Sequence, residues 1–508
     1  MPAAKVCAVW RRCKTAAALL SVVALLAALV GCSRDNREER RTAPAAADYA
    51  QSLREKVTTD AMFAHLEQLQ QIADANGGNR AVGSPGYDAS LDYVAKTLRV
   101  KGFDVQIPEF DFRKFDPGPV SLTVNGATVS AQVLEYSVGT GPGGVSGPLT
   151  VAPGPPGDDT PGCSASDYDG LPVSGAVVLI DRGYCQFSSK EEAAAQRGAV
   201  ALIVADNVDE EKMSATLGAR TEVKIPVIGV SKADGAKLRA QPGPTAIKVD
   251  AKVTNIKARN VIAQTKTGST QNVVMAGAHL DSVPEGPGIN DNGSGVAAVL
   301  ETAVQMGSSP PIQNAVRFAF WGAEEAGLIG SMNYIESLDA DGLKDIALYM
   351  NFDMIASPNP GYFTYDGDQS SAQGPDESTP RVPEGSAGIE RTLVSYLTNA
   401  GKTAEDTSFD GRSDYDGFTK AGIPSGGLFS GAEEKMSAEQ AELWGGKADQ
   451  PFDPNYHKPT DTLQQINRTA LGINGPGVAY ALGLYSQDIA GRNGVPVRDD
   501  RTRHVLKD

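Results

Sequence analysis

The sequence predicts an α/β protein with a mostly parallel central sheet flanked by helices, interrupted by a small β-rich domain. Three observations carry this reading. First, continuous apolar runs at 272–276, 315–321 and 346–352 alternate with a helical stretch in which Val296, Val299, Leu300, Ala303 and Val304 recur at helix spacing. Apolar strands of this kind are buried on both faces, as parallel strands are. Second, between 133 and 253 the texture changes to short β-rich runs, at 176–180, 201–205 and 225–230, punctuated by Gly and Pro. Third, 508 residues with 41% hydrophobic and 21% charged side chains supply material for about two to four domains. This composition excludes a chain disordered throughout or a polytopic membrane protein. A formal net charge of −16, with no basic stripe to offset it, argues against nucleic acid as a partner.

The N-terminus is a targeting segment. Lys5, Arg11, Arg12 and Lys14 precede an apolar run over 15–30 that is short for a membrane span and suits a signal peptide, residues 1–31. The run ends in Leu29-Val30-Gly31-Cys32, which resembles the bacterial lipobox, with Cys32 as the lipidated first residue of the mature chain. An ordinary signal peptide with an incidental cysteine is the alternative. The Arg11-Arg12 pair hints at twin-arginine export, but its flanks match poorly. Cleavage removes basic residues and no acidic ones, so the exported part is more acidic than the whole. Cys7 and Cys13 leave with the signal and Cys32 takes the lipid, so Cys163 and Cys185 remain to pair in an oxidising compartment. Two free thiols are the alternative. The charged, Ala/Pro-rich stretch 32–47 reads as a tether.

Residues 48–131 form the first part of the main domain. Met62, Phe63, Leu66, Leu69 and Ile72 fall at helix spacing, and so do Tyr87, Leu91, Val94 and Leu98, predicting two amphipathic helices. Gly102 caps the second, and 103–112 alternates as one strand. The β-rich domain occupies 132–255. Its segment Asp181-Arg182-Gly183-Tyr184-Cys185-Gln186-Phe187, followed by a helix over 190–198, resembles the protease-associated domain. That resemblance implies a non-catalytic insertion that shapes access to a peptidase cleft; another small β domain is the alternative. The main domain resumes over 256–492 and ends in a charged tail, 493–508.

The chemistry lies in His279-Leu280-Asp281, Asp291 within Gly288-Ile289-Asn290-Asp291-Asn292-Gly293-Ser294-Gly295, Glu324-Glu325, Asn351-Phe352-Asp353 and Tyr456-His457. The first, third and fourth directly follow apolar strand-like runs, so three strands deliver His, Glu and Asp to one sheet edge. Histidine with several carboxylates and no free thiol suits Zn²⁺ in a hydrolase. Five candidates exceed one tetrahedral zinc and fit two, one held by His279 and Asp353, the other by Glu325 and His457, with Asp291 bridging. Two Zn²⁺ balance three carboxylates and one hydroxide. Asp281 is expected to accept the other N–H of the His279 ring. Adjacent residues at a strand end point apart, leaving Glu324 free to act as general base on the metal-bound water. Tyr456 is expected to donate to the oxyanion. His65 and His504 read as structural or solvated.

These residues resemble the di-zinc aminopeptidase family, in particular secreted bacterial aminopeptidases that prefer hydrophobic N-terminal residues. The match covers 48–131 and 256–490 and includes Phe409-Asp410-Gly411-Arg412-Ser413-Asp414-Tyr415, Gly422-Ile423-Pro424-Ser425-Gly426-Gly427-Leu428-Phe429, Trp444-Gly445-Gly446 and Asp453-Pro454-Asn455-Tyr456-His457. The resemblance implies a zinc-exopeptidase fold and removal of N-terminal residues from peptides. It also places Arg412 near the substrate and the oxyanion tyrosine. The whole reads as a monomeric, lipid-anchored, extracytoplasmic aminopeptidase with two Zn²⁺ per chain; release from the anchor and a Ca²⁺ site are not legible. The alternatives are a glutaminyl-cyclase-like acyltransferase with one zinc, a non-catalytic binding lipoprotein, and a carboxypeptidase using Arg412.

Overall fold

The computed structural model describes residues 45–152, 162–208, 213, 215–371, 381–490 and 494–506. The signal segment, Cys32 and most of the tether lie outside the described residues. No helix among the described residues is long and apolar enough to cross a membrane. The described residues form two compact units, those up to 110 with those from 258 onward, and those within 111–257.

In the first unit, residues 45–56 already form a helix, α1, so the stretch read as a tether to residue 47 ends earlier. Ala46, Ala50 and Leu53 are buried at i, i+4 and i+7, and alanine is the best helix former. Helices α2 (Thr59–Ala75) and α3 (Pro85–Val100) match the two amphipathic patterns. Thr58 and Ser84 cap them by accepting the N–H of Ala61 and Tyr87. Past the end of α3, Gly102 adopts the left-handed conformation at φ 85° that a helix stop requires. The single strand expected over 103–112 is two, β1 (Asp104–Gln106) and β2 (Glu109–Asp116). Pro108 lies between them and has no N–H to give a ladder.

The second unit starts at Asp111 rather than 132, because strands before 132 belong to its sheet. Its strands are β3 (Val120–Val124), β4 (Ala127–Val129), β5 (Gln132–Val133), β6 (Val145–Val151), β7 (Val177–Asp181), β8 (Ala201–Ala205), β9 (Val227–Val230) and β10 (Pro244–Val249). They are ordered β4-β3-β10-β6-β7-β8-β9-β5, with β6 through β9 parallel. Consecutive residues of β7 and β8 feed opposite cores: Val178, Ile180, Leu202 and Val204 on one face, Val177, Leu179, Ala201 and Ile203 on the other. Helices α4 (Phe187–Gln196) and α5 (Lys232–Ala240) complete the unit. A final strand, β11 (Lys252–Arg259), pairs with β2 as a two-stranded ribbon. Cys163 and Cys185 form a disulfide.

The first unit's sheet is completed by β12 (Val261–Gln264), β13 (Ser269–His279), β14 (Asn314–Trp321), β15 (Ile346–Phe352), β16 (Phe363–Tyr365), β17 (Glu405–Thr407) and β18 (Ser425–Phe429). The order is β1-β12-β14-β13-β15-β18-β16-β17. Its centre, β14-β13-β15-β18, is parallel, while β1, β12 and the β16–β18 pair are antiparallel. Helix α6 (Gly295–Met306) is buried along nearly its whole length against β13, and α7 (Ile329–Glu336), α8 (Ala340–Asp345), α9 (Ser386–Asn399), α10 (Tyr415–Lys420), α11 (Ala438–Trp444) and α12 (Arg468–Gln487) cover the rest. The segment read as a charged tail is fastened down. Arg501 is buried and donates to Gln271 O, Lys344 O and Asn272 Oδ1 at 3.0, 2.6 and 2.6 Å. His65 is structural, bonded to Tyr93 OH and Glu301 Oε2, and His504 is exposed.

Candidate active site

His279 is the last residue of β13, Asp353 follows β15, and Glu324 and Glu325 follow β14 through the turn at Gly322-Ala323. All leave the carboxyl edge of the parallel strands, where α/β sheets bind ligands. Asp291 comes from the segment Ile289–Ser294 that leads into α6; the backbone leaves the helical region at Asp291 and Asn292, and the peptide bond between them is cis. Tyr456 and His457 lie on the loop between α11 and α12. Three non-glycine residues at or beside these side chains are left-handed: Ala323 at φ 60°, Met354 at 50° and His457 at 56°. Each such position costs about 1–3 kcal/mol and is held by its surroundings.

The five metal-type side chains converge. Asp291 Oδ1 lies 3.2 Å from His279 Nε2, and Asp291 Oδ2 lies 3.3 Å from His457 Nε2. Asp353 Oδ1 is 3.3 Å from His279 Nε2, and Glu325 Oε2 is 3.1 Å from His457 Nε2. Two ligands bound at about 2.0–2.1 Å to one tetrahedral zinc stand about 3.3 Å apart, so these spacings fit zinc ligands. Glu325 Oε1 and Asp353 Oδ1 are buried without a hydrogen-bond donor, as the acceptors of a cation would be. Glu324 stands further back, with Oε2 3.9 Å from His279 Nε2.

The expected partner of the His279 ring is corrected. His279 Nδ1 bonds to the main-chain oxygen of Asp281 at 3.1 Å, while the Asp281 carboxylate is 3.8 Å away. That carboxylate instead accepts the N–H of Glu324 at 3.2 Å and approaches that of Glu325 at 3.4 Å, pinning the loop that carries both glutamates. A backbone carbonyl fixes the tautomer as well as a carboxylate does.

Supporting residues escaped sequence reasoning. The guanidinium of Arg80 is fully buried and donates to the carbonyls of Pro287 at 2.8 Å, Gly288 at 2.6 Å and Leu280, tying the His279 loop to the Asp291 loop. Burial lowers it to about 10 against the pull of Asp281, Asp461 and Asp291, so it stays cationic beneath an acidic site. Asp461 accepts the N–H of Asn290 at 2.8 Å and of Asp291 at 3.0 Å. A chain of bonds runs from Trp321 Nε1 to Tyr349 OH, on to Asn351 Oδ1, and from Asn351 Nδ2 to Ser413 Oγ. Ser413 lies in a quoted motif, but nothing in its residue type marked it. Arg80 and Asp461 bond mainly to backbone of distant segments, for which a sequence has no signal.

The site opens on a cavity of about 560 Å³. Asp291, Glu324, Glu325, Asp353 and His457 line one part, and Leu328, Met354, Phe363, Tyr365, Phe429 and Phe452 line another. Arg412 and Tyr456 also face it; Arg412 Nη2 is 3.4 Å from Tyr456 OH and 2.8 Å from Glu433 Oε1, and the Tyr456 ring stacks on His457 at 3.8 Å. Burial, reinforced by Asp414, Asp353 and Glu325, pushes Glu324 well above the ordinary glutamate range, and burial followed by Asp291 pushes Glu325 up to about 7. Burial raises the Tyr456 hydroxyl, keeping it a protonated donor.

The profile of peptidase family M28 matches residues 260–482 and that of the PA domain matches 145–238. The chain is 69% identical over 495 residues to the probable lipoprotein aminopeptidase LpqL of Mycobacterium tuberculosis, covering 96% of this chain and 98% of the relative. Among solved structures, it is similar to an aminopeptidase from Aneurinibacillus sp. strain AM-1, with a TM-score of 0.68 and 26% identity over 86% of this chain and 96% of that one. It is also similar to BSAP, a zinc aminopeptidase from Bacillus subtilis, with a TM-score of 0.62 and 25% identity over 86% and 98%. Its convergent acids and histidines, its fold and these relatives together mean that the chain belongs to peptidase family M28, as a metallo-aminopeptidase interrupted by a PA domain.

Proposed function

We propose that the protein removes hydrophobic N-terminal residues from peptides, using two Zn²⁺ per chain, as a monomer anchored outside the cytoplasm by lipid on Cys32. The single observation that carries this reading is Asp291, whose two oxygens each meet a different histidine, each histidine also meeting a second carboxylate. His279 and Asp353 would hold one ion, Glu325 and His457 the other, with Asp291 shared. Bound zinc would supply Lewis acidity, lowering the pKa of water and polarising the scissile carbonyl.

The chain's own residues do the rest. Glu324, which lines the cavity and stands 3.9 Å from His279 Nε2, further than the paired ligands, takes the proton from the attacking water and returns it to the leaving amine. Tyr456 donates a hydrogen bond to the oxyanion, and Arg412, 3.4 Å from that hydroxyl, orients it. Acidic groups at the cavity floor, Glu324 and Asp353, attract the free ammonium of the peptide. Met354, Phe363, Phe429 and Phe452 offer an apolar wall to the first side chain, which supports the hydrophobic preference. The lipobox-like run before Cys32 and the lipoprotein name of the Mycobacterium relative support the anchor.

The test compares hydrolysis of Leu-Gly-Gly, Glu-Gly-Gly and N-acetyl-Leu-Gly-Gly. Fast release of Leu, slow release of Glu and no cleavage of the acetylated peptide are expected. Cleavage of the acetylated peptide, or pyroglutamate formation from N-terminal Gln in place of hydrolysis, would overturn the reading.

A further inference from the structure

A second group of oxygen donors sits on the outer strands of the same sheet, on the face opposite the peptide cavity. The parallel register of β16 with β17 sets Thr364 beside Asp406, so both side chains lie on one face. The N–H of Asp366 extends the ladder by donating to Thr407 O at 2.9 Å, and alternation brings Asp366 to the same face. Helix α9 packs against β16 and contributes Glu390. Carboxylate oxygens of Asp366, Asp368 and Glu390 lie within 4.8 Å of one another. Asp366 is 5% exposed and Glu390 7%, and among the described residues no cationic side chain forms an ion pair with them.

Independently of the acids, the Thr364 side chain is wholly buried on that face and its hydroxyl has no hydrogen-bond partner among the described residues. Burying an unpaired hydroxyl is costly, and native structures rarely do so without a ligand or water to meet it. The loop is set by the N–H of Ser370 donating to Asp366 at 2.9 Å and Asp368 at 3.0 Å, and that of Asp368 donating to Glu390 at 2.9 Å. Each carboxylate keeps further lone pairs.

We propose that Asp366, Asp368, Glu390 and Asp406, with the Thr364 hydroxyl, bind a calcium ion separate from the zinc site. The donors are all oxygen, which suits a hard cation and not zinc. Ligands on opposite sides of a calcium ion stand about 4.6–5.2 Å apart, at bonds of about 2.3–2.6 Å, so carboxylate oxygens no more than 4.8 Å apart can share one ion. The consequence for function lies on the other face of β16, where Phe363 and Tyr365 line the cavity. Calcium would fasten β16 and β17 to α9 behind that wall.

The test uses the full zinc-loaded chain, titrated with CaCl₂ and, in parallel, MgCl₂, and read by calorimetry and by thermal unfolding. One calcium per chain with a dissociation constant of about 10⁻⁴–10⁻³ M is expected, with a rise in Tm of a few degrees at saturation. The double variant Asp368→Asn, Asp406→Asn should lose calcium affinity at least tenfold. Thr364→Val should weaken the calcium response while melting no lower than wild type in calcium-free buffer, because it removes the unpaired hydroxyl. Absence of calcium binding up to 10 mM, an equal response to magnesium, or wild-type binding by the double variant would overturn the proposal.

Discussion

Ser413 donates its hydroxyl proton to Oδ2 of Asp353 at 2.6 Å, fixing one oxygen of that carboxylate so that the other, Oδ1, faces His279. Ser413 in turn accepts from Asn351, which ties the segment just before α10 to β15, the strand that Asp353 follows. Removing an outer hydrogen bond to a metal ligand typically costs 10–100-fold in metal affinity or activity. Ser413→Ala is therefore expected to lose zinc about tenfold faster in chelator competition, with Ser413→Thr restoring most of the difference. Unchanged zinc retention in Ser413→Ala would remove it from this role.

Arg80 offers a prediction on stability. Its guanidinium serves three buried carbonyls from two site loops, and Arg80→Met leaves all three without that donor. A loss of about 3–5 kcal/mol in denaturant unfolding is expected, as for breaking one side of a buried charged network. Arg80→Lys should recover only part of it, because an ammonium lacks the planar fork. A change within about 0.5 kcal/mol in Arg80→Met would contradict the account.

The disulfide of the second unit closes a loop between residues 22 apart in sequence, which stabilises by about 3 kcal/mol in the chain-entropy account. Unfolding of wild type with and without reductant measures it. Reduction should lower the melting of the second unit, and Cys163→Ser with Cys185→Ser should melt like the reduced wild type.

Glu191 makes the second unit sensitive to pH. Burial raises its pKa above the ordinary 4.5, although it accepts the N–H groups of Lys224 and Ile225 at 2.7 and 2.8 Å. The folded state thus holds its proton more tightly than the unfolded state, so its contribution is fully present below about pH 4.5 and is lost as pH rises through the folded value. Glu191→Gln, which keeps an acceptor but cannot ionise, should flatten that part of the stability profile. An unchanged slope in the variant would assign the pH dependence elsewhere.

The site was legible in the sequence wherever chemistry follows directly on an apolar run. His279, Glu324, Glu325 and Asp353 each stand at or just past a strand of the sheet centre, and that placement distinguishes them from surface acids. Asp281 was found but given the wrong bond, because residue type cannot tell a carboxylate from the main-chain oxygen of the same residue. Arg80 was invisible because its partners are carbonyls some 200 positions away. In the fold, the break at Pro108 was masked by alternation on both sides of it, and the early start of α1 by the low complexity of an alanine-rich stretch.

In the proposed site Asp291 serves two zinc ions and Glu324 acts from outside both. Metal analysis of the purified chain, with Glu324→Gln measured alongside, tests it most directly. About two zinc ions per chain are expected in both proteins, with turnover lost almost completely in the variant alone. One zinc per chain in the wild type, or wild-type turnover in Glu324→Gln, would contradict it.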